Sequence, residues 1–219
     1  MSTVTIRQAN MDDIEFLTEA VIAAEQSGTG RSGLAKIHGL TEDALPALVK
    51  TMFEEEVDGC ELSVSSFLLA VNDKEPIAAV AGWLEGGVDG VPSGSLRTNL
   101  VGYTFPGSAL EALRENGQAA VDLKLDRDEG ALQIEYVYVS PAERGKRLAT
   151  KLIQAHIDRI KGSDQVPGKV QIQVFNNNDK ALSAYLAMGF QVVRTARSQD
   201  PRALELLPFN EKSLLELTL

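Results

Sequence analysis

The chain has 219 residues, with 21 lysines and arginines against 31 aspartates and glutamates, for a formal net charge of −10. Its 44% hydrophobic content is ordinary for a globular fold, and no apolar run approaches the roughly 18 residues that span a membrane. The acidic balance disfavours nucleic acid and anionic membranes as partners, and the single cysteine, Cys60, excludes an internal disulfide or a multi-cysteine metal site.

A lone cysteine suits a reducing compartment, and residues 1–13 show no hydrophobic block of a secretory signal, so the expected location is cytoplasmic. Val4 and Ile6 alternate with Thr5 and Arg7, as in a short strand with one buried face. Asn10 is placed to cap a helix carrying Ile14, Leu17, Val21 and Ala24, with Gly28 as terminator. A Gly/Ser/Thr-rich loop follows over 27–39, then a helix from Thr41 with Leu45, Val49, Met52 and Phe53 on one stripe. Its end, Glu54-Glu55-Glu56-Val57-Asp58, reads as a solvated acidic face. Strands are predicted at 66–71 and 77–84, turned by 72–76.

Residues 86–130 hold eight glycines of the chain's 18, and this stretch is too long for a simple hairpin loop. Ser108-Ala109-Leu110-Glu111 has capping-box spacing, predicting one short helix over 109–115 in a partly ordered insertion. Leu132–Val139 reads as a strand, 147–161 as an amphipathic helix, 170–175 as a strand, and 179–188 as a helix closed by Gly189. Segments 192–197 and 203–207 read as a last strand pair. The insertion and the tail 210–219 are the candidate surfaces for a homodimer. The alternation of strands and helices predicts an α/β sheet with parallel contacts near its centre. The two histidines, His38 in a loop and His156 on a charge-rich helix, read as solvated, and they are too far apart in sequence for a metal site.

Two clusters carry chemistry. In Arg144-Gly145-Lys146-Arg147-Leu148-Ala149 a turn opens a helix, and with Lys151 it gathers four positive charges in eight residues. Unpaired helix-start N–H groups and the dipole make such a turn a ready anion site, although a solvated basic helix start has the same appearance. In Asn178-x-x-Ala181-x-x-x-Tyr185, followed by Met188-Gly189-Phe190, Asn178 stands where a cap is wanted and Tyr185 on an apolar helix.

In order and separation the pair resembles the GNAT superfamily of acetyl-CoA-dependent N-acetyltransferases, whose pyrophosphate loop runs Gln/Arg-x-x-Gly-x-Gly/Ala. The resemblance is specific over about 131–209, architectural over 1–85 and absent over 86–130. Arg147 stands where that loop usually has glycine. The resemblance implies one domain over 1–219 with an atypical insertion at 86–130. It implies a mixed, mostly antiparallel twisted sheet with a splayed central parallel strand pair, flanked by about four main helices. It further implies acetyl-CoA as co-substrate, without a metal. Val137, Tyr138 and Val139 would line the acyl-pantetheine arm. Arg144, Gly145, Lys146, Arg147, Leu148 and Ala149 would hold the diphosphate, and Asn178 the pantetheine.

The implied reaction is direct attack of an amine on the thioester in a ternary complex. The Val137 amide would stabilise the oxyanion, Tyr185 would act as acid for the leaving thiolate, and Glu135 would be the candidate base, on one face with Val137 and Val139 if the pleat is regular. The acceptor would be a small-molecule primary amine. A protein N-terminus is the alternative, but where bacterial enzymes of that class carry a glutamate twelve residues before the tyrosine, this chain has Gln173. A non-catalytic acyl-CoA-binding module is a further alternative.

Overall fold

The structure, a computed structural model, describes residues 4–162 and 166–219. Strand β1 (Thr5–Gln8) lies at the sheet edge, paired only with β2 (Phe67–Asn72). Its expected buried face is absent: Val4 and Ile6 are exposed at this edge of the sheet. The Asn10 side chain accepts from the Asp12 amide while Asp13 accepts from the Asn10 amide, and this reciprocal cap starts the turn leading into α1 (Ile14–Glu25).

The loop expected over 27–39 contains a helix, α2 (Gly33–Ile37), started by Ser32 accepting from the Ala35 amide and held by burial of Leu34 and Ala35. α3 (Leu45–Glu54) follows, with Val49, Met52 and Phe53 inside. β2 returns into β3 (Glu75–Leu84) through Asp73 and Lys74, both at positive φ, the turn whose twist suits a two-residue hairpin.

The 86–130 segment is more ordered than its composition suggests. It forms α4 (Ser93–Thr104), α5 (Gly107–Asn116) and α6 (Gln118–Val121). Leu100, Val101, Phe105 and Ala109 enter the same core as α1 and α3. α5 begins after Pro106 rather than at a Ser108 cap, proline being suited to a helix start.

β4 (Leu132–Val139), α7 (Leu148–Lys161), β5 (Lys169–Phe175) and α8 (Asp179–Ala187) fall where the periodicity places them. β6 (Gln191–Arg197) does too, but 203–207 is not a strand: α9 (Ala203–Leu206) occupies it, and the closing strand is β7 (Glu211–Thr218). The tail is therefore inside the sheet, hydrogen-bonded to β5 on one side and β6 on the other.

Among the described residues the sheet has seven strands in the order β1-β2-β3-β4-β5-β7-β6, antiparallel except for β4–β5. One face packs on α1, α3, α4 and α5, through Leu17, Val21, Phe53, Phe67 and Trp83. The other packs on α7 and α8, through Leu152, Ile153, Ile157, Tyr185 and Phe190. Among the described residues no helix is long and apolar enough to cross a membrane.

Both histidines differ from expectation. His38 is buried, Nδ1 against the Leu34 carbonyl at 2.8 Å and its ring edge-to-face with Phe105. His156 is also buried, and its Nε2 donates to the Val80 carbonyl at 2.9 Å.

Candidate active site

β4 and β5 pair only at Leu132–Val170, Gln133–Gln171 and Ile134–Ile172. Beyond these rungs they diverge, although β4 stays paired to β3 as far as Val139 and β5 to β7 as far as Phe175. The divergence opens a cleft of 700 Å³ lined by residues 134–139 and 172–175, the end of α1 and the start of α8.

A bulge sets what β4 presents to it. Tyr136 sits at φ +47°, and the register with β3 skips between Ala79 and Ala81, leaving Val80 without a partner on β4. The pleat is therefore not regular. Tyr136 and Tyr138 join the core on the α1 side, while Val137 and Val139 pack on the α7–α8 side. Glu135 lies on the α1 side with Arg127, away from Val137 and Val139, contrary to the shared face expected for them.

The same register aims the backbone. The Ser140 N–H bonds the Ile77 carbonyl, so N–H and C=O groups at 140 and 138 point to β3. Alternation then turns those of Val137 and Val139 into the gap, where β5 would be in a closed sheet. The Arg144 guanidinium reaches the Val139 carbonyl from that side, at 3.3 Å.

At the mouth, Gly145 (φ +83°) and Arg147 (φ +58°) both adopt left-handed backbone, and Arg147 is the residue preceding α7. Such a turn requires positive φ at the position where glycine was expected. Arg147 is exposed, and the first N–H groups of α7 have no partner within the helix, as at any helix start. Lys146 is tied to Glu143 at 2.8 Å. Asn178 caps α8, its side chain accepting from the Ala181 amide at 3.2 Å, and also lines the cleft. Tyr185 stands two turns along α8 in the cleft wall, without a hydrogen-bond partner among the described residues. Burial alone pushes its phenol well above the usual range, so it stays protonated.

The α1 side of the cleft carries a charge network that the sequence did not reveal. Arg127 binds Glu135 at 2.5 Å and Glu61 at 3.3 Å, donates to Ser93, and lies 5.0 Å from the centre of the Trp83 ring. Arg97 approaches Glu61 at 3.5 Å and Glu25 at 3.7 Å, and the Tyr136 hydroxyl donates to Glu25 at 3.0 Å. Burial would raise the Glu135 carboxyl, but Arg127, with Lys212 and Arg97, outweighs it and holds the group below the usual carboxylate range. Both arginines come from 86–130. Arg127 was hidden within the solvated-looking run Asp126-Arg127-Asp128-Glu129. Gln173 is engaged structurally, its amide donating to the Leu125 carbonyl at 2.9 Å.

A splayed parallel pair with free strand edges thus lies between a basic helix-start turn on one side and a charged wall on the other, a frame suited to holding two substrates for group transfer. Residues 36–190 match the acetyltransferase (GNAT) family, and the chain belongs to it. Among solved structures it is similar to an N-acetyltransferase from Staphylococcus aureus Mu50, at 17% identity over 97% of this chain and 100% of that one, with a TM-score of 0.66. It is also similar to a Drosophila melanogaster polyamine N-acetyltransferase, at 14% identity over 99% and 100%, TM-score 0.60. A third, the putative acetyltransferase yncA from Salmonella typhimurium with its cofactor acetyl-CoA, has 15% identity over 99% and 94%, TM-score 0.53. These are likenesses of fold. No curated protein sequence matches the chain. The protein is therefore an acetyltransferase of that family.

Proposed function

We propose that the protein transfers the acetyl group of acetyl-CoA to the primary amine of a small molecule, by direct attack in a ternary complex. The observation carrying this reading is the cleft's two-sidedness: a free strand edge and the start of α7 on one side, charged groups on the α1 side. The N–H groups of 145–149, with Arg144 and Lys146, would take the diphosphate, and Val137, Tyr138, Val139 and Asn178 the pantetheine arm. Acetyl-CoA supplies an acetyl group activated as a thioester.

The Val137 N–H would polarise the thioester carbonyl, a donor of this kind being worth ~3 kcal/mol. A new C–N bond replaces the C–S bond, and the sulfur takes the Tyr185 hydroxyl proton, which water restores. The attacking nitrogen's proton leaves on the α1 side. Glu135 is a poor terminal acceptor for it, because Arg127 lowers its basicity, so we assign Glu135 to orienting the acceptor with cleft water carrying the proton.

A peptide N-terminus fits less well, since Gln173 occupies the carboxylate position of that class and is already committed to Leu125. We read residues 1–219 as one domain with 86–130 built into its core, acting in the cytoplasm. The test is a screen of amines with acetyl-CoA, following free thiol. Release that depends on a small primary amine supports the reading, and release with peptides alone, or with none of the amines, overturns it.

A further inference from the structure

Lys212 pairs with Phe175 in the β5–β7 register, so both side chains point to the α1 side of the sheet, and both line the cleft. Its ammonium lies 5.8 Å from the centre of the Phe175 ring and has no ion-pair or hydrogen-bond partner among the described residues. The neighbouring carboxylates are already served: Glu61 by Arg97 and Arg127, Glu135 by Arg127, Glu25 by Arg97 and the Tyr136 hydroxyl. Three carboxylates face three cations there, and Lys212 is the cation with no partner of its own. An incoming anion finds a receptor in this wall, whereas a second ammonium finds only engaged carboxylates.

We propose that Lys212 receives the carboxylate of the acceptor, so that the enzyme's substrates are small amino acids whose amine is presented to the thioester while their acid end is anchored on β7. This rests on the small-amine reading above and narrows it. Desolvation lowers the Lys212 ammonium from its ordinary range, and only the more distant Glu135 and Glu25 offset this. A bound carboxylate supplies the missing counter-charge through a charge-assisted hydrogen bond. A polyamine would set its second charge against Lys212, and an amino sugar would leave the ammonium unpaired.

The experiment compares wild-type kcat/KM for matched pairs of free amino acids and their carboxamides, with putrescine and spermidine alongside, under acetyl-CoA saturation. The acids should be preferred roughly 10- to 100-fold, the range of one charge-assisted hydrogen bond. In Lys212→Met the preference should vanish through KM for the acids, and Lys212→Arg should restore part of it. Acetylation of amides or polyamines as fast as acids overturns the proposal but leaves the small-amine reading standing. A loss confined to kcat in Lys212→Met also overturns it, by making Lys212 a proton carrier. No turnover of any amine, with no calorimetric heat of coenzyme A binding, overturns both. Should Lys212→Met unfold, the wild-type comparison of acids with amides decides alone.

Discussion

Arg147 holds φ +58°, ψ +28°, a region where an ordinary side chain crowds the following carbonyl at a cost of ~1–2 kcal/mol. In a right-handed helix position alanine outranks glycine by about 1 kcal/mol, and here the order should invert. Arg147→Gly is expected to be more stable than Arg147→Ala by ~1 kcal/mol, about 2–4 °C in Tm for a chain of this size. Equal melting of the two variants would contradict the left-handed turn. Tyr185 gives a kinetic counterpart. Its phenol is raised by burial and lacks a partner that would fix it elsewhere, so in the proposed mechanism its proton goes to the leaving sulfur. Tyr185→Phe should bind coenzyme A as wild type does and lose ~100-fold or more in kcat, in the range of general acid catalysis. An unchanged kcat removes the acid from the mechanism.

At the scale of elements, β4, α7, β5 and α8 were legible because each repeats its own period: alternation over 132–139 and 170–175, three-four spacing over 148–161. The 86–130 segment was not: α4 carries Gly94 and Gly102 with little periodicity and is ordered by packing on α3, while the short α5 and α6 are ordered by packing on α2 and α9. β7 was missed because both its faces are covered, so adjacent Leu214 and Leu215 are buried and break the alternation, while the apolar run 203–207 imitated a strand. A chain ending at Asn210 would leave β5 and β6 without the strand between them, and it should fail to fold, as circular dichroism would show. A folded, merely monomeric product would contradict this. His156 was legible in principle, lying four residues after Leu152 and three after Ile153 on the buried stripe of α7. It lies against Gly82, where an added Cβ would stand 2.6 Å from Nδ1, and it serves the carbonyl of Val80, the residue unpaired by the bulge. Burial pushes its imidazolium down to about 4. The unfolded chain, near 6.5, then takes up the proton first, so stability is lost as pH falls below 6.5 until the folded group also titrates. The total is about 3 kcal/mol. His156→Gln keeps a donor for Val80 and removes the titration, so its unfolding free energy should decline less between pH 6.5 and 4 than that of wild type.

For the whole molecule, Arg127 joins parts that the sequence presents as separate: the atypical segment, the loop carrying Glu61 and the bulged strand carrying Glu135. Its guanidinium is mostly enclosed, with Glu61 fully buried. Nothing in the pattern of charges disclosed this, because the cluster draws on residues from Glu25 to Lys212 and exists only once the sheet is assembled. Removing one partner of such a buried network leaves the others uncompensated, at ~3–5 kcal/mol. Arg127→Met should therefore be strongly destabilised, and its pH dependence identifies the cause. In wild type the Glu135 carboxyl lies below its unfolded value, so its contribution is present above the unfolded pKa, about 4.3, and is lost as pH falls through the lower folded one. Without Arg127, desolvation becomes the larger influence and moves the folded carboxyl above its unfolded value. The sign then reverses: protonated Glu135 is tolerated at low pH, and the penalty appears as pH rises through the raised pKa. Chemical unfolding at pH 5 and pH 8 should show Arg127→Met closer to wild type at the lower pH. A deficit that is the same at both values would mean that Arg127 contributes packing against Trp83 rather than charge.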